Sequence, residues 1–397
     1  MIGEESNVLC RKLLDSMLSK QQVEDIDDDR YAHVISRVNS RFAAPITPNE
    51  VVSLEFHPSA HYVAYSRSDG SLTIWKLSSS SFARSKKMFV ADAMANSLSW
   101  DPKETSQFAT CGTSYDLVIW NIDDKKREVT KLRTLTPGTK TRVEKCLYDP
   151  TGRWLLGLTR RALHLFDIEK DYESLSQFTF EIEDDATAVC WNNSGSHIVL
   201  GDDCGKLSVF QIEGSSNAKH VITINAHRSA ITSCSIEPWG RFLVTGSDDG
   251  TCAIWELSSM CCVLLLDELL SPVCSLDVDS TGKILAVCTA DGKVHFHNIN
   301  SGEMLATHSI KGSSSRPVIK FYPDKAWFIL SSKQDSLERH FTPNQYDDLV
   351  SLWRAENEKV APRKANSKKI PKKEQKDRLK VAKSDFPRGS RYNDRFS

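Results

Sequence analysis

The chain has no long apolar run. Nowhere in its 397 residues is there a stretch approaching the roughly 18–20 apolar residues that cross a bilayer. Its first residues, with Glu4 and Glu5, lack the basic-then-apolar layout of a secretory signal. These two absences lead to the expectation of a soluble intracellular protein. Cysteine is present but not in pairs that work. The eleven cysteines contain no C-x-x-C spacing for zinc or redox chemistry, and the one close pair, Cys261-Cys262, is adjacent and poorly placed to bridge. Cys111, Cys146, Cys190, Cys234, Cys252, Cys274 and Cys288 fall on or beside expected strands, where free cysteine acts as a small buried hydrophobe. Reduced thiols of that kind fit the cytosol or the nucleus.

Catalytic signatures are missing too. There is no H-E-x-x-H and no G-x-S-x-G. Gly201–Lys206, GDDCGK, resembles half a phosphate loop, but it is one residue short, lacks the following Ser/Thr and lies in a hairpin. His295 and His297 alternate on one expected strand without a third ligand, which favours structural histidines over a metal pair. The expectation is a chain that is not an enzyme, with no cofactor and no metal.

What is present is a repeat. An apolar strand, a turn, a second strand, a glycine-type turn and a third strand ending on a large ring recur along the chain. The third-strand anchor falls at Trp75, Trp120, Phe166, Phe210, Trp255 and His297, at intervals of 45, 46, 44, 45 and 42 residues, and Trp353 follows 56 residues later. A first-turn anchor keeps the same period at Pro58, Pro102, Pro150, Asn193, Pro238, Ser280 and Pro323. Two anchors sharing a period of about 40–45 residues are the signature of a WD-repeat propeller. The expected fold is all-β: a seven-bladed WD-repeat β-propeller over residues 30–355, between an N-terminal extension (1–29) and a basic C-terminal tail (356–397).

The last repeat is irregular. It carries a polar insertion, KQDSLERHFTPNQYDD, between Ser332 and Leu349, expected to project as a loop between its second and third strands. It also lacks a clear fourth strand. Arg30–Phe42, RYAHVISRVNSRF, belongs to no complete repeat, so Tyr31–Ser36 is expected to close the ring as the outer strand beside Leu349–Arg354. Upstream, Asn7–Lys20 places Leu9, Leu13 and Met17 at helical spacing, a short amphipathic helix that is marginal alone.

Charge is unevenly divided. From Lys359 to Ser397 there are fourteen Lys/Arg against four Asp/Glu, a local +10 in a chain of net charge −1. Such a block reads as a disordered arm for nucleic acid or acidic partners. Lys368, Lys369, Lys372, Lys373, Arg388, Arg391, Tyr392 and Arg395 are the candidate RNA contacts; Tyr392 and Phe396 among Arg388, Arg391 and Arg395 form an arginine–aromatic cluster able to stack on bases.

The fifth repeat, Ile231–Leu257, alone keeps a near-complete polar set: His227 after Ala226, then Thr245 or Ser247, Asp249 and Trp255. A Ser/His/Asp catalytic group uses the same residue types. No oxyanion-hole turn accompanies them, however, and Trp255 completes a structural brace.

Several segments are more specific than the repeat itself: Ile224–Cys262, Arg30–Phe56, Cys146–Leu156 (CLYDPTGRWLL) and Val318–Leu330 (VIKFYPDKAWFIL). Together they resemble the WD-repeat subunit of the THO complex, and are similar to its budding-yeast form, over nearly all of residues 30–354. The resemblance implies a non-catalytic scaffold subunit of a nuclear THO/TREX assembly coupling transcription to mRNA packaging and export. It also implies large helical THO subunits as partners and, through them, a DEAD-box RNA helicase. Lys76, Asn121, Gln211, Glu256 and Asn298 stand where strict WD repeats end on aspartate. Two other readings remain from the residues: direct RNA binding through the tail, and a substrate receptor of a ubiquitin ligase, which the absence of an F-box-like helix pair disfavours. Loops on the face bearing the insertion are the candidate partner surface, with Arg142, Arg228, Arg316, Arg339, His340 and Phe341 as contacts.

Overall fold

The computed structural model describes residues 40–42, 50–76, 86–90, 93, 95–112, 114–137, 141–174, 180–181, 184–213, 217–310, 316–323, 328–331 and 337–340. All lie in the first of two compact units, Met1–Trp353; the second is Arg354–Ser397. The expected helix at 7–20, the strand at Tyr31–Ser36, the strand at Leu349–Arg354 and the basic tail lie outside the described residues.

After a short first strand, β1 (Ser40–Phe42), the chain lays down six blades, each a four-position antiparallel sheet cut from one continuous stretch. They are β2–β5 (Val51–Phe56, Tyr62–Arg67, Leu72–Lys76, Lys86–Val90) and β6–β9 (Ala95–Trp100, Gln107–Gly112, Leu117–Asp123, Glu128–Leu135). The third, β10–β14, is Lys145–Tyr148, Trp154–Leu158 and Ala162–Asp167, with its outer position shared by Glu173–Ser174 and Phe180–Glu181. Next come β15–β18 (Ala186–Trp191, His197–Asp202, Lys206–Glu213, Asn217–Asn225) and β19–β22 (Ile231–Ile236, Phe242–Ser247, Cys252–Glu256, Cys261–Leu266). The sixth is β23–β26 (Val273–Val278, Ile284–Thr289, Lys293–Asn298, Met304–Ser309).

Burial explains the reading of each strand. The second strands β3, β11, β16 and β24 are buried at every residue, because each is sandwiched between two neighbouring sheets. They therefore read as continuous apolar runs with no alternation. The outer strand β9 is exposed at most positions and reads as polar. Each apolar cluster fills the gap between two neighbouring sheets, as when Tyr62 and Ile74 of the first blade meet Trp100 and Phe108 of the second.

The expectation of a seven-bladed propeller is corrected here to six blades. Six sheets are continuous blades. The remaining one is a composite of both ends: β27 (Ile319–Phe321), β28 (Phe328–Ser331), β29 (Leu337–His340) and, at its outer edge, β1. Ser40 pairs with His340, Arg41 with Arg339 and Phe42 with Glu338. Within the stretch Arg30–Phe42 the described strand is Ser40–Phe42, paired on Leu337–His340; the expected pairing of Tyr31–Ser36 with Leu349–Arg354 lies outside the described residues. The third strand comes from inside the polar insertion, which is therefore in part sheet and not a projecting loop. Its polarity has a physical reason: β29 lies near the sheet's outer edge, where only short strands are paired.

The composite sheet still closes the ring. Phe296 of the sixth blade packs on Phe328, with ring centroids 5.2 Å apart, and Tyr322 packs on Phe56 of the first blade at 4.4 Å. Across the same joint, Lys320 Nζ on β27 lies 3.1 Å from Glu55 Oε1 on β2 and 3.8 Å from Asp277 Oδ1 on β23. The other Asp277 carboxylate oxygen accepts a 2.7 Å hydrogen bond from the Phe321 amide. Burial pushes both carboxyls up from their usual range, and Lys320 opposes that in each. The Lys320 ammonium is raised despite burial, because two acids flank it.

Replacing Lys320 with Met leaves two carboxyls facing each other without their cation. The expected cost is about 1–3 kcal/mol, less than for a fully buried pair because the channel admits solvent. In the variant the acids can become neutral as pH falls through their raised values. Urea unfolding should therefore show a larger loss at pH 8 than at pH 5; an equal loss at both would remove the electrostatic account.

Candidate functional site

The innermost strands of the six blades and of the composite sheet surround a channel of about 760 Å³. Arg142, Glu50, Glu144 and Arg316 line one mouth; Lys145, Cys190, Cys234, Glu55 and Lys320 lie along its walls. Arg142, Arg228 and Arg316 are exposed and sit on the connections that carry the chain from one sheet to the next. Arg142 and Arg316 thus come together on the channel, whereas Arg228 lies outside it on the fifth-blade connection. The Asp249 carboxylate accepts a 2.8 Å bond from the Arg228 amide and holds that connection in place. Two apolar side chains stand on connections at the same end of the strands: Leu270, 92% exposed, and Tyr115, 57% exposed. The Tyr115 turn is tied to the blade's last connection by Thr136, whose hydroxyl donates to Asp116 at 2.8 Å. Arg339 and His340 do not lie on a loop: both are paired residues of β29, opposite Ile329 and Phe328. Phe341 lies outside the described residues, as do all eight candidate RNA contacts.

His227, Thr245, Asp249 and Trp255 form one directed chain of hydrogen bonds. The Trp255 indole donates to Thr245 Oγ1 at 2.9 Å, and Thr245 lies 2.8 Å from His227 Nε2. His227 Nδ1 lies 2.9 Å from Thr251 Oγ1, which donates to Asp249 Oδ1 at 2.6 Å. Only one assignment satisfies every donor: Thr245 donates to Nε2, and the proton on Nδ1 goes to Thr251. Neutral histidine is required, and burial does hold His227 below its usual pKa, against the pull of Asp249. With Nε2 already accepting, the imidazole has no lone pair left to take a proton from a substrate. Ser247 sits beside the chain, its hydroxyl donating to Ser229 O at 3.1 Å.

The hairpin GDDCGK serves this same connection. Gly205 has φ of 82°, and a Cβ there would meet His227 O at 2.4 Å. Its carbonyl accepts the amides of Ala226 and His227, both at 3.0 Å. Lys206 turns to Asp184, 2.5 Å away, so the phosphate-loop reading has no cation facing an open cradle. Among the described residues, Asp184, Asp203 and Cys204 are spaced for a metal ion, but Lys206 already neutralises Asp184. His297 is 2% exposed, with Nδ1 3.1 Å from the Gly302 carbonyl.

One recurring position escaped the sequence reading. The residue just before six of the seven first-turn anchors is polar and buried: His57, Asp101, Asp149, Asn192, Glu237 and Asp279. Each caps the turn into the second strand; Asp149 Oδ1 accepts the Arg153 and Trp154 amides at 2.7 and 2.6 Å, and Asp279 Oδ1 those of Lys283 and Ile284 at 3.0 and 2.9 Å. The signal was available beside the proline anchors, hidden because four residue types fill one role. Glu55, Asp277 and Lys320 were also missed, since nothing marks three scattered charges until the strands are aligned.

Comparison with known proteins was decided by one match. Protein TEX1 of Saccharomyces cerevisiae is 41% identical over 369 residues, covering 89% of this chain and 86% of that protein. The chain belongs to the TEX1 family. THO complex subunit 3 of Arabidopsis thaliana is 22% identical over 69% of this chain and 84% of its own length. The WD domain, G-beta repeat family matches residues 218–256 and 262–298 of this TEX1-family member. Those two matches begin on or beside outer strands (β18 and β22) and end with the third strands of the following blades, so the repeat runs one strand out of phase with the blade. The β-propeller domain of Cps50 (Swd1) from Myceliophteria_thermophila superposes with a TM-score of 0.63 over 77% of this chain and all of that one, at 15% identity, a likeness of fold alone.

Two outcomes follow. Thr245→Val keeps the shape but leaves the Trp255 indole and His227 Nε2 without their shared partner, so equilibrium unfolding should show a loss of about 3 kcal/mol. A loss below about 0.5 kcal/mol would mean the chain does not brace the blade. The second concerns acid. Burial lowers His57 to about 4 and also lowers His164, His197, His227, His295 and His297. Below pH 6.5 the unfolded chain binds protons that the folded ring refuses, so stability present above 6.5 is lost as pH falls. For His57 the window is 6.5 to about 4, at no more than about 1.4 kcal/mol per pH unit. His57→Gln should flatten the stability–pH slope across that window.

Proposed function

We propose that this TEX1-family chain is a non-catalytic scaffold subunit of a nuclear THO/TREX-type assembly, in which transcription is coupled to mRNA packaging and export. The observation carrying the reading is its 41% identity to TEX1 along 86% of that protein, supported by the similarity to THO complex subunit 3. The geometry favours a binding role over chemistry. His227 is consumed in an internal hydrogen-bond chain, and the candidate metal group is neutralised by a lysine. The surface assigned to protein partners is the channel-mouth face, with Arg142, Arg228 and Arg316 as its charges and Leu270 and Tyr115 as its apolar contacts. Exposed arginine, tyrosine and leucine on one face are residue types that anchor protein interfaces. Large helical THO subunits are the proposed direct partners, and a DEAD-box RNA helicase the indirect one.

A second role is carried by a different observation, the +10 charge of residues 359–397. This arm is assigned to RNA, contacted by electrostatics and by Tyr392 stacking.

The two roles separate experimentally. Affinity purification of the tagged chain from nuclear extract should recover THO subunits by mass spectrometry; cullin-type ligase components in their absence would overturn the scaffold reading. Arg142→Glu with Arg316→Glu should reduce that recovery at least about tenfold with the melting temperature unchanged, as expected for charge reversal at an interface. Deleting 359–397 should leave recovery intact and abolish a salt-sensitive RNA affinity.

A further inference from the structure

Two thiol pairs lie where neighbouring blades meet, and they differ in what surrounds them. Cys111 on β7 and Cys146 on β10 form the first. Cys146 Sγ is directed at the backbone carbonyls of Ala109 and Ser97, 3.6 and 3.7 Å away, and burial pushes the Cys111 thiol well up. Cys190 on β15 and Cys234 on β19 form the second. Both line the channel, and both pack in the apolar cluster between the fourth and fifth blades, on first strands that lie side by side. Their strands are pinned together by the Thr187 hydroxyl, which donates to Ile231 O at 2.6 Å.

The surroundings of the second pair are unusual for buried cysteine. Lys145, on the first strand of the neighbouring third blade, acts electrostatically on both thiols, and Lys320 acts on Cys234. The Cys234 thiol is held below its usual value, first by its hydrogen bond with Cys190 and then by these two ammonium groups, against the opposing effect of burial. Lys145 itself is lowered by burial and steadied by Cys234 and Glu144. Lys320 is shared with Glu55 and Asp277, so Lys145 is the cation more available to a thiolate. Low-pKa cysteine beside a resolving cysteine, reachable through a solvent channel, is the arrangement of a redox-responsive dithiol.

We propose that Cys190 and Cys234 are a modification site: a dithiol that a peroxide entering the channel converts into a disulfide stapling the fourth blade to the fifth. The Cys234 thiolate sulfur attacks one peroxide oxygen; the O–O bond breaks and the departing hydroxide leaves as water after taking a proton. The resulting sulfenic acid is attacked by the Cys190 sulfur, the S–O bond breaks, and a second water leaves with the Cys190 proton. Two thiols lose two electrons in total, and one hydrogen peroxide becomes two waters.

The test uses the full chain. Native protein is treated with hydrogen peroxide, blocked with an alkylating agent, digested without reductant and analysed by mass spectrometry. A Cys190–Cys234 linked peptide is expected, with Cys111 and Cys146 recovered as alkylated thiols after denaturation. Oxidation confined to the exposed Cys204, Cys261 and Cys262, with Cys190 and Cys234 still reduced, would overturn the proposal. Because a serine substitution in the core can unfold the ring, a second measurement leaves both cysteines in place. Iodoacetamide should label Cys234 of the reduced native chain with a pH midpoint below the ordinary thiol value, and Lys145→Gln should slow that labelling at pH 7 by about tenfold. An unchanged rate in the lysine variant would also count against the site.

Discussion

A blade's innermost strand has a ladder on one side only, and its other edge faces the channel with backbone groups that no strand can reach. The structure answers this with side chains borrowed from next door. Ser97 and Ser99 accept the amides of Cys146 and Tyr148, at 3.2 and 2.9 Å. Thr187 and Thr232 donate to the carbonyls of Ile231 and Val273, at 2.6 and 2.7 Å. Ser275 both donates to Pro317 O and accepts from Ile319 N. Indoles do the same lower down: Trp100 reaches Glu55 O and Trp191 reaches Leu147 O, at 3.1 and 3.3 Å. An unmet backbone group in such a place costs about as much as a lost hydrogen bond, so these short polar residues decide whether the ring can close on itself.

That requirement explains why the channel is lined with polar groups. A wall built from hydroxyls and a few charges is polar for structural reasons. Where the charges fail to cancel locally, as at Lys145, they act on whatever stands opposite, here the thiols of Cys190 and Cys234. The polar chain through His227 is the same economy applied to the outside of the blade. Every donor has one acceptor, and the direction of the whole run is set by the indole at one end and the carboxylate at the other.

Much of this was legible in the residues, unevenly. The third-strand rings and the first-turn prolines located the blades because those positions are fixed by packing between sheets and by a turn that nothing else can make. Trp255 with Thr245 could be read because the polar set is intact in one copy. The pairing of Ser40–Phe42 with LERH was not foreseen, because three paired residues at an edge need no sequence pattern at all. The cross-blade serines, Glu55, Asp277 and Lys320 were invisible for another reason: each is an ordinary residue on an ordinary strand, and its meaning depends on a partner some forty or more residues away. The offset between sequence repeat and blade hid the boundaries in the same way, since a unit that looks complete in the chain is an outer strand of one sheet followed by three strands of the next.

The pairing of Ser40 with His340 gives the ring a seam with mechanical properties. The chain enters β1 and leaves β29 at the same end of one antiparallel pair. Tension transmitted from the two flanking segments would therefore peel that pair apart one hydrogen bond at a time, not shear it as a block.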